Sequence, residues 1–215
     1  MSRDAADAAA ALGLEEVRTR AARHRPDVRR QPGDDDWQAA TAVVIVPGPV
    51  SLDVAFIRRS ARRGDRWSGD MALPGGTRDP GDVDLADTAA RETFEEVGLV
   101  VGSPVGRLDD QRGRTRRGVV ASFVYTLDHR PPLLPDPREV AEALWIPLPR
   151  LFDPGAATRH RWSGIPFPGV EHEGRVIWGL THRIVGSLGH ALGLTDPRGR
   201  QGPRGDPRHQ GRSTS

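Results

Sequence analysis

The sequence lacks both cysteine and lysine, and it has a single tyrosine among its 215 residues. The absence of cysteine excludes disulfide bonds and thiolate metal sites. All 31 basic residues are therefore arginines, which stay charged at high pH. Because almost no side chain titrates in the alkaline range, a formal net charge of only +2 is accompanied by a pI near 10.1. The high pI therefore does not indicate nucleic-acid binding.

Long apolar runs are also absent. No stretch of the sequence approaches the roughly 20 apolar residues that a membrane helix needs. The alanine-rich run near the amino terminus is too short and too acidic for a secretory signal. We therefore expect a cytoplasmic protein that has no membrane partner and that is not a nucleic-acid binder.

The length favours one enzyme-sized domain with ends of different composition. Residues 1–35 are expected to form an N-terminal helix and a linker. The helical pattern runs from the first residues to about Arg23 and is carried by the stretch from Ala8 to Arg20. Residues 36–195 carry the folded domain. Residues 196–215 consist largely of Gly, Pro, Arg and Asp, a composition that predicts a disordered tail.

The apolar pattern of the central region predicts strands on both sides of one helix. Such an order favours an α/β (α+β) fold with a mixed sheet. A tight turn at Pro47 is expected to join the first two strands into a hairpin. The predicted strands are 41–46, 52–57, 100–108, 118–127, 143–147 and 175–178, followed by a short helical turn over 148–152 and a closing helix over 179–192.

The most informative stretch is Leu73-Pro74-Gly75-Gly76, followed shortly by the segment from Arg91 to Leu99. A helix there places Glu92, Glu95 and Glu96 on one face, where like charges cost about 0.2–0.5 kcal/mol per pair. A hard divalent cation that also carries a phosphate chain is the counterion that fits this face best.

Three other residues of this segment, Phe94, Ala90 and Ala86, fall roughly opposite the glutamates and are expected to face the core. Gly98 is placed to end the helix. Asp84 or Asp87 is placed to accept the free amide protons at its start.

This pattern resembles the Nudix box of the Nudix hydrolases, enzymes that cleave nucleoside diphosphates linked to another group. The interval from Gly76 to Arg91 is one residue longer than in the common box, and Asp82 or Asp84 takes the place of its glutamate. Thr93 stands where an aliphatic residue is usual. The longer, aspartate-bearing spacer is similar to the variant of the coenzyme A pyrophosphatase branch.

The resemblance implies a Nudix α/β/α sandwich with a mixed sheet and a need for Mg²⁺, with Mn²⁺ as the alternative. Glu95 and Glu96 match positions that hold the metal directly, and Glu92 matches one that binds metal or acts as a base. The Gly75 carbonyl resembles a further ligand. Arg91 belongs to the catalytic set and is expected to orient Glu95 four residues later.

A further acidic ligand from a later loop is common in the family. Glu139 is the candidate in this sequence, with Asp136 and Glu142 as alternatives and a plain surface role equally open for Glu139.

A second motif of the coenzyme A branch is partly present before the glycines, where Arg59-Ser60 opens an arginine-rich loop. Guanidinium groups bind phosphates bidentately, and coenzyme A carries three phosphates. A solvated basic loop is the competing interpretation. The candidate substrate-binding residues are Arg59, Arg62, Arg63, Arg66 and Gly76.

Three functions are consistent with the sequence. The first is Mg²⁺-dependent hydrolysis of coenzyme A or acyl-CoA to 3′,5′-ADP and (acyl-)4′-phosphopantetheine. The second is hydrolysis of ADP-ribose, NADH or another nucleotide by the same chemistry. The third is a Nudix-like module that senses a nucleotide without catalysis. Each implies a small-molecule nucleotide as the partner, and each leaves the oligomeric state open. Trp67 and Trp162, in segments expected to be irregular, are candidates either for stacking on a base or for ordinary packing.

Overall fold

The computed structural model describes residues 2–29, 37–61, 67–112 and 118–195. The predicted N-terminal helical region ends at Arg23 as expected, but the prediction of a single helix is wrong, because the chain forms two helices, α1 (Arg3–Ala11) and α2 (Leu14–Arg23). Leu12 and Gly13 adopt extended backbone angles and separate the two helices. The predicted disordered tail, 196–215, lies outside the described residues.

The main sheet is mixed, as predicted, and is built around one long central strand. Strand β1 (Trp37–Pro47) runs parallel to β7 (Gly118–Thr126) and antiparallel to β2 (Leu52–Arg59). The β1–β2 hairpin confirms the predicted turn, since Pro47 lies opposite Leu52. The other members are β3 (Met71–Ala72), β4 (Gly75–Thr77), β5 (Gly106–Arg107), β6 (Gln111–Arg112) and β8 (Val140–Pro147).

The predicted strand over 100–108 is wrong in extent, because the strand itself covers only Gly106–Arg107, flanked by hydrogen bonds from the N–H groups of Val105 and Leu108 to β7. Pro104 has no backbone donor and Gly102 weakens an extended segment, so regular pairing starts only after them.

A second, three-stranded antiparallel sheet follows, with β9 (Ala157–Trp162), β10 (Ile165–His172) and β11 (Arg175–Trp178). The sequence predicted only β11. The other two strands were not predicted because β10 contains two prolines, and proline cannot donate a hydrogen bond to a ladder.

Helices cover both faces of the main sheet. Side chains alternate along β1, so Val43 and Ile45 join a core cluster with residues of α1, α2 and the closing helix α4 (Gly179–Ala191). Val44 and Val46 point the other way and pack in a cluster with residues of α3 (Leu85–Val97). This helix–sheet–helix arrangement confirms the predicted α/β/α sandwich.

The closing helix ends at Ala191, close to the predicted boundary, and the predicted short turn is a 3-10 helix over Leu148–Phe152. Within the described ranges, no helix is long and apolar enough to cross a membrane.

Candidate active site

Helix α3 carries the glutamates and is bounded by the predicted signals. The Asp84 carboxylate accepts hydrogen bonds from the N–H groups of Ala86 and Asp87, at 2.8 and 2.9 Å. Asp84 is thus the N-cap. At the other end Gly98 has a left-handed backbone, with φ of 71°. Glycine adopts that conformation without a steric penalty, so the helix stops there.

The buried face of α3 differs from the prediction. Phe94 was expected in the core, but it is 57% exposed, whereas Thr93, Glu96 and Val97 are buried. The part of the sheet that α3 covers is lined by small residues such as Ala40 and Ala42, so the helix lies close to it. The buried face therefore carries compact side chains and one carboxylate rather than the aromatic ring.

Two adjacent glycines bring backbone up to the glutamates. Gly75 has φ of 151°, and a Cβ on it would lie 2.3 Å from the Ala40 carbonyl oxygen. A Cβ on Gly76 would lie 2.5 Å from the Glu92 carboxylate. The Gly75 N–H donates a hydrogen bond of 2.8 Å to Oε2 of Glu96. Only glycine fits at either position without displacing these groups.

Arg91 organises the acidic side chains around it. Its Nε and Nη2 donate to Oδ1 and Oδ2 of Asp82, at 2.9 and 3.1 Å. Asp82 rather than Asp84 therefore pairs with Arg91. The Arg91 Nη1 lies 3.0 Å from Oε1 of Glu92 and 2.9 Å from Oε2 of Glu95. The Arg91–Glu95 pair is the one expected from the helical spacing.

Glu96 is a carboxylate inside the protein, with 3% of its surface exposed. Burial raises its pKa to about 8; the negative charges of Glu92 and Glu139 also raise it, and the Gly75 N–H and the Arg59 guanidinium oppose the rise. Burial likewise raises the pKa of Glu92, again with a contribution from Glu139. These mutual effects put Glu92, Glu96, Glu139 and Arg59 in one electrostatic neighbourhood.

Of the three later acidic candidates, Glu139 is the one whose negative charge raises the pKa of both Glu92 and Glu96. The Glu142 carboxylate is held by Arg58, at 3.2 Å, and by Arg175. Asp136 accepts from Arg138 at 2.6 Å.

The backbone secures Glu139 near the helix. The Ser60 N–H donates to the Glu139 carbonyl at 2.9 Å, and the Asp136 N–H donates to the Glu96 carbonyl at 3.0 Å. The loop that carries Glu139 is thereby attached both to the end of β2 and to α3.

Of the predicted substrate-binding residues, the structure brings Arg59 and Gly76 to the glutamates. Arg59 is the last residue of β2 and lies opposite Val140, next to Glu139. Arg62, Arg63 and Arg66 lie outside the described residues.

The donor set has the chemistry of a hard divalent cation site, because carboxylate and carbonyl oxygens are the ligands that Mg²⁺ and Mn²⁺ prefer. A buried carboxylate such as Glu96 is stabilised in its charged form by a cation. Across 2–29, 37–61, 67–112 and 118–195, no three acidic or histidine side chains already converge at ligand distances. Arg91 holds Glu92 and Glu95, so a cation would compete with that guanidinium.

Sequence reasoning missed one feature beside this site, a group of aromatic rings. Trp162 was expected in an irregular segment, but it ends β9, and its ring stacks on Trp67 with centroids 5.6 Å apart. The signal was available in the alternation of His160 and Trp162, which is typical of a strand with one covered face.

The NUDIX domain model matches residues 36–166 of the chain. The protein therefore belongs to the Nudix hydrolase family, a group that in general uses divalent metals and small nucleotide substrates.

Two curated relatives extend the family match. An uncharacterized protein of Schizosaccharomyces pombe is 43% identical over 132 residues, which cover 57% of this chain and 39% of the relative. The human mitochondrial coenzyme A diphosphatase NUDT8 is 34% identical over 161 residues, covering 68% of this chain and 66% of the relative. The chain thus spans less than two thirds of the length of either.

Among solved structures, a MutT/nudix family protein from Enterococcus faecalis superimposes with a TM-score of 0.54 at 16% identity, covering 85% of this chain and 70% of that one. At this identity the likeness concerns the fold alone.

Proposed function

We propose that the protein is a Mg²⁺-dependent pyrophosphatase that hydrolyses coenzyme A or acyl-CoA to 3′,5′-ADP and the corresponding 4′-phosphopantetheine, with Mn²⁺ as an alternative metal. One observation carries the proposal. The buried Glu96 and the half-buried Glu92 share an electrostatic neighbourhood with Glu139, above a glycine pair that brings the backbone against them. Such a cluster is stabilised by a cation and by the phosphates that a cation binds.

The metal would be held by Glu92, Glu95, Glu96 and Glu139 together with the carbonyl of Gly75. When bound, a divalent ion neutralises phosphate charge and lowers the pKa of a coordinated water.

The residues of the chain supply orientation and charge. The Gly75 N–H orients Glu96, and Arg91 orients Glu92 and Glu95. Glu92, whose pKa is raised by burial, is suited to accept a proton. Arg59 supplies positive charge at the end of β2, where a phosphate can replace the carboxylates as its partner. With Arg62, Arg63, Arg66 and Gly76 it forms the proposed substrate-binding set.

Two observations support coenzyme A as the substrate. The human relative is named as a coenzyme A diphosphatase, and so is the mouse peroxisomal relative NUDT7, which is 37% identical over 95 residues. The aspartate-bearing spacer and the Arg59-Ser60 pair before the glycines belong to the same resemblance.

We also propose that residues 36–195 form the hydrolase domain, preceded by an N-terminal helical segment and linker over 1–35 and followed by a tail over 196–215, which lies outside the described residues. The packing of Ala9, Val17 and Ala21 in the same core cluster as Ile45 supports attachment of both N-terminal helices to that domain.

The test is to incubate the full chain with Mg²⁺ and, separately, with coenzyme A, NADH, ADP-ribose and nucleoside triphosphates. Release of 3′,5′-ADP and 4′-phosphopantetheine from coenzyme A is expected, with little product from the others. Preferential cleavage of ADP-ribose or NADH would contradict coenzyme A as the substrate but would still support a pyrophosphatase activity. Tight nucleotide binding without any turnover would overturn the enzymatic proposal in favour of a sensor.

A further inference from the structure

A group of aromatic rings lies beside the proposed active site. His160, Trp162, Phe167 and Trp178 project from the second sheet, where Phe167 pairs with His160 across the strands. Trp67 stacks on Trp162 with an angle of 13° between the ring planes. His160 stacks on Trp178 with centroids 4.2 Å apart, and Phe167 lies 5.6 Å from Trp178. We call these five side chains the aromatic cluster.

The aromatic cluster does not belong to either of the two core clusters that close the main sheet. Trp178 is buried, but Trp67, Trp162, Phe167 and His160 are each partly exposed. The two tryptophans at the surface, Trp67 and Trp162, offer large flat faces whose burial by a ligand is favourable. Packing of the main sheet accordingly does not account for this grouping.

Hydrogen bonds tie the aromatic cluster to Arg59. The Arg59 N–H donates to the Asp70 carbonyl at 3.1 Å, and the Asp70 N–H donates to the Trp67 carbonyl at 3.2 Å. The Trp178 Nε1–H donates to Oδ1 of Asp70 at 3.1 Å. A single turn therefore joins Trp67 to the backbone of the arginine that acts electrostatically on Glu96.

These connections set a distance scale. A paired residue across a ladder lies about 5 Å away, and a turn spans less than about 7 Å between its end Cα atoms, so Trp67 and Arg59 are separated by roughly 10 Å. A separation of this order between Cα atoms allows one nucleotide to contact both side chains.

We propose that Trp67 and Trp162 bind the nucleobase of the substrate by stacking, while its phosphates lie at Arg59 and the glutamates. The inference rests on the proposed function and adds which end of the substrate is recognised, and by what. Because Trp67 and Trp162 already stack on each other, a planar base would stack on the outer face of the pair. The nearby cationic Arg59 suits the phosphates that the base carries. An acyl chain has neither a planar ring nor a negative charge.

Titration with each half of coenzyme A shows whether the protein recognises the half that carries the base or the pantetheine half. The full chain is titrated, without metal, with 3′,5′-ADP and in parallel with 4′-phosphopantetheine, and tryptophan fluorescence is recorded. We expect quenching by 3′,5′-ADP and none by 4′-phosphopantetheine. In Trp67→Ala the Kd for 3′,5′-ADP should rise about tenfold, because this is the loss of affinity expected when one base–aromatic stacking contact is removed. Trp67→Phe should retain most of the affinity.

The matched control is Trp145→Phe. Trp145 is a tryptophan of β8 whose Nε1–H donates to the Pro131 carbonyl, outside the aromatic cluster. This variant should bind 3′,5′-ADP like the wild type. With Mg²⁺ and coenzyme A, Trp67→Ala should raise KM and leave kcat nearly unchanged, and an unaltered melting temperature excludes unfolding as the cause.

The outcomes separate this inference from the proposed function. Quenching by 3′,5′-ADP that depends on Trp67, without turnover of any substrate, supports base stacking and overturns only the proposed activity. Turnover of coenzyme A with an unchanged KM in Trp67→Ala overturns base stacking alone. Trp67-dependent quenching by 4′-phosphopantetheine instead of 3′,5′-ADP also overturns it.

Discussion

Asp82 and Arg91 are joined by two parallel hydrogen bonds, from Nε to Oδ1 at 2.9 Å and from Nη2 to Oδ2 at 3.1 Å. The Asp82 side chain is 4% exposed and also accepts from the Thr88 hydroxyl at 2.8 Å. The remaining Arg91 nitrogen, Nη1, faces Glu92 and Glu95. Asp82 thus orients the guanidinium that in turn orients two of the proposed metal ligands.

Asp82→Asn is expected to lower the free energy of unfolding by about 1–3 kcal/mol, because it replaces two charge-assisted hydrogen bonds to the Arg91 guanidinium, which keeps its contacts with Glu92 and Glu95. Urea denaturation monitored by tryptophan fluorescence measures the loss. Asp79→Asn is the control, since Asp79 is 66% exposed and lies 3.9 Å from Arg91. It should change stability by less than about 0.5 kcal/mol. Equal stabilities of the two variants would contradict the role assigned to Asp82.

The same pair predicts a dependence of stability on pH. Hydrogen bonds from Arg91 hold the pKa of Asp82 well below its usual range. Because the pKa is lower in the folded than in the unfolded protein, the pair stabilises the fold above about pH 4 and loses this effect as the pH falls further. The stability difference between wild type and Asp82→Asn should therefore shrink from about pH 6 to about pH 3. A constant difference in urea unfolding would argue against the ion pair.

Gly75→Ala is expected to destabilise the protein by about 2–4 kcal/mol and to abolish activity. Its backbone φ of 151° strains any residue with a side chain, and the new Cβ would meet the Ala40 carbonyl oxygen. Gly102→Ala is the matched control, because no heavy atom lies within 4 Å of a Cβ there. Thermal unfolding compares the two variants. A melting temperature of Gly75→Ala equal to that of Gly102→Ala would be inconsistent with the described geometry.

Glu96→Gln should keep the fold and lose turnover. The amide oxygen can still accept the Gly75 N–H. Because burial raises the pKa of Glu96 to about 8, the neutral amide resembles the protonated form that the metal-free protein favours near pH 7. We expect Mg²⁺ to raise the melting temperature of the wild type but not of Glu96→Gln, since a ligand that binds only the folded state stabilises it. Glu173→Gln, at an exposed turn, serves as the control and should respond like the wild type. Full activity in Glu96→Gln would contradict the proposal that the glutamates of α3 bind a metal ion.

Phe94 and Val97 provide a direct test of which face of α3 is buried. Phe94→Ala should cost less than about 1 kcal/mol, because the ring is mostly in solvent and alanine favours helix. Val97→Ala should cost about 1–3 kcal/mol, because Val97 is fully buried against the sheet. Urea denaturation of both variants decides the order, and a larger loss for Phe94→Ala would mean that the helix is rotated.

Local signals predicted the elements of the site well. The helix from Leu85 to Val97 follows from an aspartate N-cap and a glycine stop, which act within one turn of the chain. The β1–β2 hairpin was likewise readable from two apolar runs around Pro47. Both depend on residues close in sequence.

Local signals did not predict which of two similar residues takes a given role. Asp82 and Asp84 both suited the box, and only the folded loop shows that Asp82 reaches Arg91 while Asp84 caps the helix. The second sheet was missed because its prolines contradict strand propensity, while tertiary pairing of β9, β10 and β11 overrides it.

The sequence by itself determined the family and the candidate site, because three glutamates, an arginine and two glycines at these spacings predict a cation and a phosphate ligand. The tertiary structure decided which members of that set come together. It buried Glu96, turned Phe94 outward, and brought Arg59 and the loop of Glu139 to the same end of the sheet. The physical reason is that spacing along one helix sets relative directions, whereas burial and charge neighbours depend on strands and loops distant in sequence.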